Sequence, residues 1–162
     1  DILRRAQFNV KTVSLDGRSV KGAQNIRIEM DESIETLDIQ LADAIIFPGG
    51  EPNSTLLAEN PLILDLVSKA FESNIWLGAI CAAPKIFDAA GILNGVPFTS
   101  YPALESSFDP ELYRQQNVVV DESTKVVTSR GIGTSIEFAL TWVRLLKSAQ
   151  LSRELAQAMV VA

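Results

Sequence analysis

One cysteine, Cys81, stands in this 162-residue chain, between the apolar run Ile75-Trp76-Leu77-Gly78-Ala79-Ile80 and the small residues Ala82-Ala83-Pro84. The run reads as a buried strand and Lys85-Ile86-Phe87-Asp88-Ala89-Ala90 as a helix, so the cysteine falls on the turn between them. Such a turn exposes its side chain close to the unpaired N–H groups of the first helical turn. The positive end of the helix favours thiolate over thiol, the form a nucleophilic cysteine needs. A lone cysteine also serves as a small buried hydrophobe. The strand-to-helix position weighs for reactivity.

A second pattern points to the same place. Asp43-Ala44-Ile45-Ile46-Phe47 reads as a strand that stops at Pro48-Gly49-Gly50. A helix is expected from Asn60, a good N-cap, with Pro61 in its first position and Ile63, Leu66, Val67, Ala70 and Phe71 at helical spacing. Strand, helix and the strand before Cys81 then form one βαβ unit, whose two strands end at the same carboxyl edge. Gly49 lets the backbone approach closely, and the N–H groups of Gly50 and Ala82 become candidate oxyanion donors beside the sulfur. The glycine pair alone is an ordinary turn; next to the cysteine it gains meaning. Glu51 is the nearest acid by sequence and is expected to be a solvated loop carboxylate.

A third segment, Ser129-Arg130-Gly131-Ile132-Gly133-Thr134, follows a short strand and precedes a strong helical pattern. It lacks the lysine of a phosphate-binding loop and the full dinucleotide spacing, so its glycines are expected to serve conformation. Arg130 is a candidate to support a neighbouring loop or an anionic ligand.

What is missing narrows the chemistry. With no histidine, a Cys-His pair cannot be built, nor a histidine metal site, and one cysteine makes no thiolate cluster. No metal or cofactor is therefore expected. The net charge of −6 and the lack of a basic cluster argue against nucleic acid as a partner. No apolar run is long enough for a membrane helix, and a single free cysteine suits a reducing, cytoplasmic interior. The chain begins at Asp1 rather than methionine, so the lack of a leader segment carries little weight.

The elements that must position these residues alternate. Strands are expected at Val10–Leu15, closed by the turn signal Asp16-Gly17-Arg18-Ser19, and at Asn25–Met30. Val118–Val120 and Val126–Thr128 should pair across Asp121-Glu122-Ser123-Thr124, and helices should cover Thr134–Lys147 and Ser152–Val161. The pattern describes one α/β domain over residues 1–162 with a largely parallel sheet.

Taken together, Ala44-Ile45-Ile46-Phe47-Pro48-Gly49-Gly50, Gly78-Ala79-Ile80-Cys81-Ala82-Ala83-Pro84 and Thr128-Ser129-Arg130-Gly131-Ile132-Gly133-Thr134-Ser135 with Glu137-Phe138-Ala139-Leu140 resemble the ThiJ/PfpI superfamily. The likeness is to its Parkinsonism-associated protein deglycase branch. It implies a flavodoxin-like three-layer sandwich with a nucleophile-elbow cysteine, and a homodimer. It marks Cys81 as nucleophile and redox-sensitive residue, with Gly50 and Ala82 supplying N–H groups. It also implies a glutamate, hydrogen-bonded to the sulfur, just after a first strand. Asp1-Ile2-Leu3-Arg4-Arg5-Ala6 resembles the helix downstream of that acid, so a preceding strand and glutamate are expected upstream of Asp1. Tyr101, before Pro102, stands where several relatives have histidine; tyrosine donates a hydrogen bond but is a poor base near neutral pH. Arg5 lies in the helix that in this branch packs against the partner subunit.

The resemblance implies a cofactor-independent glyoxalase or protein deglycase acting on methylglyoxal-type carbonyls or glycated protein. A redox-sensing stress protein or chaperone is the alternative, and a purely structural family member a third.

Overall fold

β-Branched and aliphatic residues run through Ala44–Phe47 (β5), Trp76–Ile80 (β6) and Val126–Ser129 (β8), and these three strands lie side by side in parallel. Val118–Asp121 (β7) closes the edge antiparallel to β8, giving the order β5-β6-β8-β7. β8 is buried throughout and β6 at its centre, as near-continuous apolar runs require, whereas β5 at the edge is fully buried only at Phe47. The computed structural model describes residues 1–15, 17 and 19–161. Two compact units emerge, residues 42–141 and, separately, residues 1–41 with 142–162.

The expected βαβ unit is present in residues 42–141. Phe47 faces Ala79 across the β5–β6 ladder, so both strands end level with one another. Between them runs α3, Pro61–Glu72, whose cap is the predicted Asn60: its side chain accepts a hydrogen bond from Leu62 N. Ile63, Leu66, Val67 and Ala70 are buried, the face the 3.6-residue spacing selected. A short helix, α2 (Asn53–Ala58), precedes α3 and packs on α4 (Pro84–Ala89), which follows Cys81. Phe87 of α4 meets Phe47 edge to face at 5.9 Å. The sequence reading missed α2 and the 3-10 segment Pro102–Ser107.

The other unit holds α1 (Ile2–Arg5), four short strands, the end of one C-terminal helix and the whole of the next. Val13–Ser14 (β1) pairs in parallel with Glu32–Ser33 (β4), and Ser19–Lys21 (β2) pairs antiparallel with Arg27–Glu29 (β3). Both expected strands here are shorter than predicted. Of the turn signal Asp16–Ser19, Asp16 and Arg18 lie outside the described residues, and Ser19 opens β2 instead. Asp31 is the local anchor: its carboxylate accepts from Thr12 N and Oγ1 and pairs with Arg4. The helices are α5, Ser135–Leu146, and α6, Ala149–Ala158, capped by Ser148. Among the described residues no helix is long and apolar enough to cross a membrane.

Candidate active site around Cys81

Cys81 is the residue at which β6 stops, and its backbone takes φ = +65°, a left-handed conformation costly for a residue with a side chain. Two hydrogen bonds hold it there: its N–H donates to Ser129 O at the end of β8 (2.8 Å), and its C=O accepts from Tyr101 N (2.8 Å). The chain then turns through Ala82 and Ala83 into α4, with Pro84 in the first turn. The sulfur belongs to a free, partly exposed cysteine.

The glycine loop sits against this turn. A Cβ built on Gly49 would fall 2.5 Å from Ile80 O, 2.6 Å from Cys81 Cβ and 3.1 Å from Ala82 N. No side chain fits there, so Gly49 is required by close approach. Gly50 follows with φ = +94° and open space where a Cβ would stand. Its carbonyl accepts from both the N–H and the Oγ of Ser54, each at 2.9 Å. Neither the Gly50 N–H nor the Ala82 N–H donates to another described residue. Two free donors thus flank the strand ends where the cysteine stands.

Glu51 is the solvated loop carboxylate expected, with 47% of its side chain exposed, but it is not unpaired. It pairs with Lys85 of α4, and its other oxygen accepts from Thr55 Oγ1 at 2.8 Å. Lys85 Nζ also donates to Thr55 Oγ1 at 3.0 Å, closing a three-residue ring. The Lys85 hydrogen bond holds the Glu51 carboxyl below its usual range. Beside the ring opens a cavity of about 260 Å³ lined by Thr55, Glu59, Lys85, Asp88, Leu104 and Phe108, where partial burial pushes the Asp88 carboxyl up. Cys81 does not line it.

The remaining predicted residues fall as follows. Tyr101 is half exposed, with its ring 3.8 Å from where a Gly131 Cβ would be, and Pro102 opens the exposed 3-10 segment. Arg130 follows β8; its Nε is buried and finds no acceptor among the described residues. The loop Ser129–Thr134 is self-bonded, with Thr134 Oγ1 2.6 Å from Ser129 Oγ and 3.1 Å from Gly131 N, and neither Gly131 nor Gly133 takes the left-handed backbone that would demand glycine. Arg5 lies in α1 and pairs with Asp1 at 2.7 Å. Among the described residues no group of three histidine, cysteine or acidic side chains could hold a metal. Lys85, Thr55 and Ser54 were missed from sequence; a lysine one turn past the cysteine and an acid after the glycine pair were the available signal.

Known proteins share the fold and much of the sequence. Residues 1–145 match the model of the DJ-1/PfpI family. Protein dj-1beta of Drosophila melanogaster is 32% identical over 167 residues, covering 100% of this chain and 87% of its own. The Caenorhabditis elegans protein named glutathione-independent glyoxalase DJR-1.2 is 32% identical over 163 residues, with coverage of 100% and 86%. The structure of oxidized Toxoplasma gondii DJ-1 superposes with a TM-score of 0.93 at 26% identity, covering 100% of this chain and 88% of that one. On fold, sequence and extent of match, this chain belongs to the DJ-1/PfpI family.

Proposed function

We propose that the protein is a cofactor-independent enzyme of glyoxalase or deglycase type, acting through Cys81 on methylglyoxal-type carbonyls, free or as early adducts on proteins. The supporting observation is the contact of Gly49 with Cys81, which brings two unpaired backbone donors, Gly50 and Ala82, to the strand end that carries the sulfur. A relative bearing the name glyoxalase favours the same reading.

The chemistry balances without an outside oxidant. The Cys81 thiolate adds to the aldehyde carbon; a C–S bond forms and the carbonyl electron pair moves to oxygen. The Gly50 and Ala82 N–H groups stabilise that oxygen as charge develops. After protonation, a base removes the proton on the former aldehyde carbon and the adjacent ketone carbon gains one. One carbon is oxidised to a thioester, its neighbour reduced to an alcohol. Water cleaves the C–S bond, releasing a hydroxy acid and the thiol. The family resemblance implies a glutamate as the base, and Tyr101 is suited to donate a hydrogen bond rather than act as base. An early glycation adduct first expels its amine or thiol. Replacing Cys81→Ser should abolish lactate formation from methylglyoxal; undiminished turnover overturns the reading.

A second reading has its own support, a single partly exposed cysteine and a relative solved in an oxidized form. Peroxide would convert the thiolate to a sulfenic or sulfinic acid, with no second cysteine to resolve it. Mild peroxide followed by intact mass, beside the lactate assay, separates the two: one stable oxidised product without turnover favours the sensor. A homodimer is part of the proposal, with α1 and Arg5 toward the partner, and light scattering after size exclusion measures it.

A further inference from the structure

We propose that Lys85 is a positioning residue: by pairing with Glu51 it ties the Gly49-Gly50 loop to the helix after Cys81 and fixes how the Gly50 N–H stands relative to the sulfur. This rests on the reading of Gly50 as an oxyanion donor. The two ends of the clamp are covalently close to the chemistry. Glu51 follows Gly50 directly, and Lys85 stands four residues beyond Cys81 in α4.

Thr55 makes the link rigid. Its N–H and Oγ1 both donate to Glu51 Oε2, and Lys85 Nζ donates to the Thr55 hydroxyl and to Glu51 Oε1, so α2 and α4 share one polar junction. Ser54, in the same turn of α2, holds the Gly50 carbonyl with two donors. The loop therefore has an anchor on α2 alone and a second that reaches across to α4. Without Lys85 the first remains and the loop keeps its shape, but no polar link then ties it to α4, and its place against the cysteine turn rests on the β5–β6 ladder, the packing of α2 on α4 and the Gly49 contact.

An exposed ion pair contributes little to stability. Lys85 and Glu51 retain 30% and 47% of their side-chain exposure, so the pair's value lies in geometry. Oxyanion donors act only at short range and in the right direction, and small misplacements are costly to rate.

The test uses equilibrium protection of Cys81 from iodoacetamide by methylglyoxal, read by intact mass, beside lactate turnover. In Lys85→Met, protection should weaken about tenfold and kcat/KM for lactate formation should fall in step. The rate of alkylation without aldehyde should not change, since alkylation develops no oxyanion. Lys85→Arg should restore most of the loss, as should the exchange Lys85→Glu with Glu51→Lys. Glu51→Gln, which breaks the pair without touching α4, should reproduce the Lys85→Met loss and stands in for it if that variant fails to fold. Wild-type protection in both single variants overturns the clamp, as does an alkylation rate that falls equally with protection. If the unaltered protein gives neither protection nor turnover, the Cys81 reading itself fails, an outcome distinct from failure of the clamp alone.

Discussion

Gly49 lies so close to Cys81 that a methyl group on the glycine would stand 2.6 Å from the cysteine Cβ. Two of the three atoms such a methyl would meet are backbone, Ile80 O and Ala82 N, and cannot swing aside. The sequence placed the glycine pair and the cysteine turn at one carboxyl edge, through the βαβ unit. Their contact follows from direct pairing of β5 with β6.

Gly49→Ala should therefore push the loop off the cysteine turn. Overpacking of this kind costs about 1–3 kcal/mol, and denaturant unfolding should register a loss in that range. Lactate formation should fall more steeply than stability explains, because the Gly50 N–H moves with the loop.

Cys81 carries backbone strain at φ = +65° that only glycine escapes. Cys81→Gly should be more stable than Cys81→Ala by about 1 kcal/mol, although both lack the sulfur. Paired denaturant melts measure the difference; equal stabilities would mean that the left-handed turn is relaxed in solution.

Two carboxylates make acid sensitivity specific. Thr12, through its backbone N–H first and its hydroxyl second, and then Arg4 hold the Asp31 carboxyl below 3.8; Lys85 holds Glu51 below 4.5. A lowered folded-state pKa contributes stability above the unfolded value, lost as pH falls through the folded one. Asp31→Asn should lower Tm at neutral pH, and the gap to wild type should close as pH drops below 3.8. Melting curves from neutral pH to the acid range follow it. The Lys85–Glu51 clamp should loosen in its own acid window, below 4.5, seen as weaker aldehyde protection of Cys81.

How far the sequence could be read depended on the range of the interaction. Asn60 with Pro61 marks a helix start through contacts two residues apart, and the β7–β8 hairpin through residues that face each other across a short turn. Both were legible. The α2 helix was not, since Asn53–Ala58 is too short to display a period and begins after a proline. Ser19 read as the end of a turn, and Val20 and Lys21 as no element, because a three-residue strand has too few positions to alternate. Lys85 was lost for another reason: its partner lies 34 positions away, and only the packing of α2 on α4 brings them together.

The most direct test follows Cys81 itself during exposure to methylglyoxal, by quenched peptide mass spectrometry over the course of turnover. The account predicts an adduct of one methylglyoxal on the Cys81 peptide, appearing before lactate and decaying as lactate accumulates. Adducts confined to lysine and arginine peptides, with Cys81 unmodified while lactate forms, would contradict it.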